Sequence, residues 1–115
     1  MGDRANVLVK DGKSKVYLYT HWASTELPVT LQTALKRQQR WDDGYYLCRI
    51  IFCQMVKDHE DDETGYGISS IVGDGQDRII TVDVQKQRVE WAGNSLPFEQ
   101  FIALTTVHWD QLVTA

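Results

Sequence analysis

The sequence predicts a single α+β domain over residues 1–115: a mostly antiparallel sheet with helices packed on one face, in the order β-β-α-α-β-β-β-α. Three observations predict it. The stretch Trp41–Lys57 (WDDGYYLCRIIFCQMVK) is the most hydrophobic long run, and at helical spacing it places Leu47, Cys48, Ile51, Phe52, Met55 and Val56 on one arc. Two β-branched and aromatic runs, Ala5–Lys10 and Lys15–Trp22, flank an Asp11-Gly12 pair, the strongest short-range hairpin signal. Three further strand-like runs follow at Thr64–Val72, Arg78–Val84 and Arg88–Ala92.

In the opening hairpin, strict alternation puts Val16, Leu18, Thr20 and Trp22 toward the core and Tyr17, Tyr19 and His21 on the opposite face. Ala23–Glu26 breaks the strand, and Pro28 suits the first turn of a helix, where its missing N–H costs nothing. Leu27, Leu31, Ala34 and Leu35 recur at helical spacing, and Lys36, Arg37 and Arg40 gather at the C-terminal end, where cations favour the helix dipole. A very short joint is expected before the central helix, which Asp42 or Asp43 caps and on which Trp41 staples to Tyr45 or Tyr46. Lys57–Glu63 has no apolar periodicity and reads as a solvated loop.

The three later strands are expected to form a meander, turning at Gly73-Asp74-Gly75 and Gln85-Lys86-Gln87. Gly65 and Gly67 around Tyr66 signal a bulge or a place where another backbone or a ligand comes close. Ser95-Leu96-Pro97 opens a short third helix with Phe98, Phe101, Ile102 and Leu104 facing inward, and the tail Thr105–Ala115 is compatible with helix or strand.

Composition narrows the function. With 43% apolar and 24% charged residues the chain has the make-up of an ordinary globular protein. Its formal charge of -4, with twelve basic residues scattered among sixteen acidic ones, argues against direct nucleic-acid binding, which needs clustered Lys and Arg. A protein partner with a basic surface suits it better. Met1–Lys10 holds no apolar core for a signal peptide, and no run approaches the roughly 20 apolar residues of a membrane span, so a cytoplasmic location is expected. Cys48 and Cys53 point to different sides of one helix and are expected to be buried free thiols.

Among residues able to carry chemistry, His21 stands out. It ends an aromatic strand opposite the start of the paired strand, where Arg4 and Asn6 could shape an anion site with Asp3 or Asp74 as carboxylate. No catalytic motif supports that arrangement: Ser69, Ser70 and Ser95 lie outside any G-x-S-x-G turn, and Gly73-Asp74-Gly75 leads into no helix. The run Asp58–Glu63 lacks the spacing of a calcium loop, and His59 and His108 lack a paired ligand at a zinc spacing, so neither a metal nor a cofactor is expected. Aromatic residues are abundant, with Tyr17 and Tyr19 on the face away from the helices as candidate anchors of a protein interface or a homodimer seam.

The segments GDRANVLVKDG, YLYTHW, RWDD and ETGYGIS resemble an uncharacterised family of small bacterial and phage proteins, over most of the chain up to Ser69. That resemblance implies a bacterial or phage origin but no reaction. Where its pattern commonly continues with glycines after His-Trp, this chain has Ala23-Ser24. The function expected is therefore a non-enzymatic interaction module that presents Tyr17, Tyr19, Asp61, Asp62 and Glu63 to a basic protein. One concrete version is an inhibitor of a host nucleic-acid-handling or defence complex. The alternative is a small enzyme or ligand-binding domain centred on Arg4, Asn6 and His21.

Overall fold

A computed structural model describes residues 4–73 and 76–109, and the backbone of 112–114. The fold is α+β: a six-stranded, mostly antiparallel sheet with three helices, and a separate two-stranded ribbon. The elements in chain order are β1 (Ala5–Asp11), β2 (Ser14–Thr20), α1 (Leu27–Leu35), α2 (Gly44–Met55), β3 (Tyr66–Ser69), β4 (Ile79–Asp83), β5 (Arg88–Trp91), β6 (Asn94–Pro97), α3 (Phe98–Ile102), β7 (Leu104–Val107) and β8 (Leu112–Thr114).

Strand order across the sheet is β3-β2-β1-β4-β5-β6. The β1–β2 hairpin turns at Gly12, whose φ of +63° supplies the left-handed residue a two-residue loop requires. β1 also pairs with β4, in parallel, with Asn6 opposite Ile79 and Val9 opposite Val82. This central position explains the near-continuous apolar run of β1, since a strand flanked on both sides has little contact with water. The expected meander of the first three later strands is corrected here: β3 adds to the outer side of β2, and the meander is β4-β5-β6. Ser95-Leu96-Pro97, read as the opening of a helix, belongs to β6, and α3 starts after Pro97.

The turn that makes β6 was invisible to pattern reading. Between Trp91 and Asn94, both Ala92 and Gly93 are left-handed, at φ +47° and +82°, which is easy for glycine and strained for alanine. Ala92→Gly is expected to raise stability by about 0.5–1 kcal/mol, the strain relief exceeding the added unfolded-state entropy. The midpoint of urea unfolding checks it.

Register places Val7, Leu18 and Ile80 in one row and Val9, Val82 and Val89 in the next, all but Val9 fully buried. α1 and α2 pack over β1 and β2 on that side. Leu27, Leu31, Ala34 and Leu35 face inward from α1 as their spacing requires, and Leu47, Ile50, Ile51 and Met55 from α2. The second helix starts three residues later than the hydrophobic run, because Asp43 caps it: its carboxylate accepts from the backbone N–H groups of Tyr45 and Tyr46 at 3.1 and 3.4 Å. The joint between the helices is not short. It spans residues 36–43 and turns through left-handed Gln38 and Arg40.

Trp41 does not staple to the tyrosines. Its indole N–H donates to the Leu35 carbonyl at 3.2 Å and its ring meets Phe98 edge-on at 5.3 Å, leaving Tyr45 and Tyr46 exposed. Trp22, expected in the core, is 57% exposed because β2 ends at Thr20 and the alternation ends with it. Of the cysteines, both free, Cys48 is half-buried, which pushes its thiol pKa up, whereas Cys53 is exposed rather than buried.

Candidate functional site

The N-terminal ends of β1, β3 and β4 and the C-terminal ends of β2 and β5 meet at one end of the sheet. Most of the chemically capable residues collect there. Arg4 Nε donates to His21 Nδ1 at 3.2 Å, and the Tyr19 hydroxyl lies 3.0 Å from the same nitrogen. A guanidinium has only donors, so Nδ1 is the acceptor; the tyrosine hydroxyl donates to it as well, and the ring proton resides on Nε2. In that arrangement Nε2 is the ring's donor. That is the form suited to holding an oxygen atom, not to abstracting a proton.

Asn6 lies in the same row, opposite Tyr19, but is 1% exposed, and its backbone N–H donates to the Arg78 carbonyl at 3.0 Å. Tyr17 stands one row further along, half-buried, on the face without helices. The structure therefore brings Arg4, Tyr19 and His21 together and keeps Asn6 underneath. Asp3 and Asp74, named as carboxylates for this site, lie outside the described residues.

His21 also fixes the neighbouring strand. Its backbone N–H donates to the Gly65 carbonyl at 2.8 Å, one step beyond the regular β2–β3 ladder. Trp22 meets the His21 ring edge-on at 5.4 Å and lies against Gly65: a Cβ there would come within 2.4 Å of the indole ring. With φ at +104°, Gly65 is held to glycine by both conformation and contact. What comes close at Gly65 is therefore a side chain, Trp22, and not the backbone or ligand expected there.

The acidic loop leads into this corner. Asp58 to Glu63 are all exposed, and five of the six are acidic. His59 Nδ1 lies 2.9 Å from Asp62, an exposed pair worth at most about 1 kcal/mol. The His59 ring stands 6.0 Å from Tyr66. Burial pushes the Tyr66 hydroxyl pKa up, and the negative charges of Asp62 and then Glu26 push it further, so the acidic potential reaches the start of β3. Among the described residues no group of three or more His, Cys, Asp or Glu is arranged to hold a metal ion.

Around the corner, beside the start of β4, a cleft of about 580 Å³ is lined by Thr25, Asp77, Arg78, Ile79, Ala92, His108 and Trp109. Two of its lining side chains, Arg78 and Trp109, are tied into the fold. Arg78 donates to the Ser24 hydroxyl at 2.8 Å and lies over the Trp109 ring at 5.8 Å, while the Trp109 indole N–H donates to the Ser24 carbonyl at 2.6 Å. Ser24 is fully buried, so its hydroxyl fills a role that glycine could not. Sequence reasoning read Ser24 only as a strand breaker; a serine among turn residues carries no mark of a partner 54 residues away.

The remaining candidates resolve as local structure. Ser69 Oγ accepts from the Ile71 N–H at 3.1 Å, and Ser95 Oγ accepts from Arg88 Nε at 2.9 Å. Trp91, like Trp41 and Trp109, spends its indole N–H on a backbone carbonyl, that of His108 at 3.0 Å. Three of the four tryptophans are thus fastened into the domain, and Trp22 is the one left on the surface. No protein family matches the chain, and neither does any curated protein or solved structure.

Proposed function

We propose that the chain is a non-catalytic protein-binding module whose docking surface is the acidic loop Asp58–Glu63 with the exposed Trp22 beside it. The observation that carries this reading is the juxtaposition at the start of β3: a wholly exposed acidic run, a negative potential reaching Tyr66, and a tryptophan 57% exposed against Gly65. Tryptophan anchors and complementary charge suffice for fast, specific association without any reacting group. A basic site that normally receives nucleic acid is the natural target of such a surface, because clustered Lys and Arg select acidic groups whatever carries them. On that chemistry, inhibition of a nucleic-acid-handling or defence complex in a host cytoplasm is the specific form of the proposal. No helix among the described residues is long and apolar enough to cross a membrane.

The Arg4 guanidinium beside the His21 ring favours a second reading, a small anionic ligand. One experiment separates the two: capture of partners from a bacterial lysate by the tagged chain at low and moderate salt. For the docking reading, a specific salt-sensitive partner is expected, lost on combined Asp61→Lys, Asp62→Lys and Glu63→Lys and retained by His21→Ala. Capture lost with His21→Ala alone, or unchanged by the three charge reversals, would overturn it.

A further inference from the structure

The two edges of the sheet are not equivalent. At one, β6 ends in Pro97, which lacks a donor and blunts the edge against further pairing. At the other, β3 carries neither proline nor charge, and residues 64–73 (TGYGISSIVG) form an uncharged stretch in a chain with 24% charged residues. Ile68 and Ile71 are 61% and 71% exposed there.

The register tells which backbone groups are open. The His21 N–H to Gly65 carbonyl bond marks that pair as hydrogen-bonded, so by alternation Tyr19–Gly67 and Tyr17–Ser69 are hydrogen-bonded pairs too. Leu18–Ile68 is then a non-bonded pair, and the Ile68 N–H and C=O point away from β2. An antiparallel neighbour centred on Ile68 would find its donor and acceptor side by side.

We infer that β3 pairs with β3 of a second copy about a two-fold axis at Ile68, joining the two six-stranded sheets into one. The axis stands perpendicular to the sheet, because directly opposite residues of an antiparallel pair share a face; the helices of both copies therefore lie on the same side. Each Ile68 donates to and accepts from its counterpart, and the two exposed side chains meet. Every residue from 64 to 72 faces an uncharged residue, so no like charges oppose one another. The same register brings the acidic run of one copy alongside the β2 start of the other, with Lys13 and Lys15. In one copy these opposite charges lie at opposite ends of the strands. A self-complementary edge with complementary flanks favours a second copy over an extended peptide of another protein.

The inference rests on backbone pairing at Ile68, which the acidic run only flanks, and it is tested on the purified chain alone. Sedimentation equilibrium across the micromolar range is expected to give a dimer that dissociates on dilution. Ile68→Lys, which sets two ammonium groups at the axis, is expected to halve the mass with the far-ultraviolet circular dichroism unchanged. In a register test that survives any loss of stability, Ile68→Cys is expected to form a disulfide-linked dimer in air at least tenfold faster than Ser69→Cys. The wild type serves as control for exposed Cys53. A wild type that is monomeric throughout, an Ile68→Lys variant as dimeric as the wild type, or equal cross-linking at 68 and 69 would overturn the pairing. A monomeric wild type would leave the edge free for a segment of another protein.

Discussion

Phe101→Ala is expected to destabilise the domain by about 3–5 kcal/mol, the range for emptying a fully packed aromatic site. Phe101 is 0% exposed, comes from α3, and meets the Trp91 ring of β5 edge-on at 5.4 Å and 77°. The loss has three parts: the transfer of the ring, the cavity it leaves, and the edge-to-face contact, which alone is worth about 0.5–1.5 kcal/mol. The site cannot collapse easily, because Trp91 is pinned by its bond to the His108 carbonyl. Domains of this size hold about 5–15 kcal/mol in all, so the variant is expected to unfold in far less urea, and at the lower limit to be partly unfolded in buffer. An unfolding midpoint within experimental error of the wild type would show that α3 is not part of the core.

Gln32→Leu is expected to cost about 1–2 kcal/mol although it replaces a polar residue by an apolar one of similar size in a buried place. Gln32 is 6% exposed on α1, and its amide nitrogen donates to the carbonyls of Phe101 and Leu104 at 3.1 and 2.8 Å. Those two carbonyls lie where α3 ends and β7 begins, so one side chain closes a chain reversal. Leucine removes the side-chain donor from both carbonyls, the Phe101 carbonyl keeping its bond from the Ala103 N–H, so two hydrogen bonds of about 0.5–1.5 kcal/mol each are lost and leucine's own burial returns only part of that. Urea unfolding measures the loss, and amide exchange in β7 is expected to accelerate first because its anchor to α1 is gone. Since both residues touch the same turn, the double variant with Phe101→Ala is expected to fall short of the sum.

Neither effect was visible in the sequence. Gln32 occupies a helix among Leu31, Thr33 and Ala34, where glutamine is ordinarily a surface residue; nothing local says that its amide meets carbonyls about 70 residues away. By contrast, the β1–β2 hairpin was legible because Gly12 falls between two β-branched runs, although the loop is Gly12-Lys13 with Asp11 still in the ladder, and both long helices were legible because of their amphipathic spacing. The errors occurred where pairing is long-range or a turn is atypical. β3 was expected beside β4 since sequential strands usually pair, yet β2 claims it. β6 was missed since Ala92 adopts a conformation alanine seldom takes.

The candidate site followed the same division. That Arg4, Tyr19 and His21 converge could be read from the hairpin register, as Arg4 precedes a strand whose Ala5 pairs with Thr20. The hydrogen-bond direction that makes His21 Nδ1 an acceptor could not. Neither could the burial of Asn6 in the same row, nor the tie from Arg78 to Ser24, which depend on β4 arriving alongside β1.

That parallel β1–β4 ladder also governs how the chain emerges from the ribosome. Ala5–Asp11 is made well before its inner neighbour, and it cannot pair on that side until Ile79–Asp83 has left the exit tunnel, about 70 residues later. At about 5–20 residues per second the nascent hairpin with α1 and α2 waits several seconds. Throughout that interval the Val7–Leu8–Val9 edge is unpaired and open to water, presenting an apolar strand to whatever chaperone patrols the tunnel mouth. Closure of the sheet is thus a late, non-local event, and folding in vitro is expected to be slower than the helical content alone would suggest.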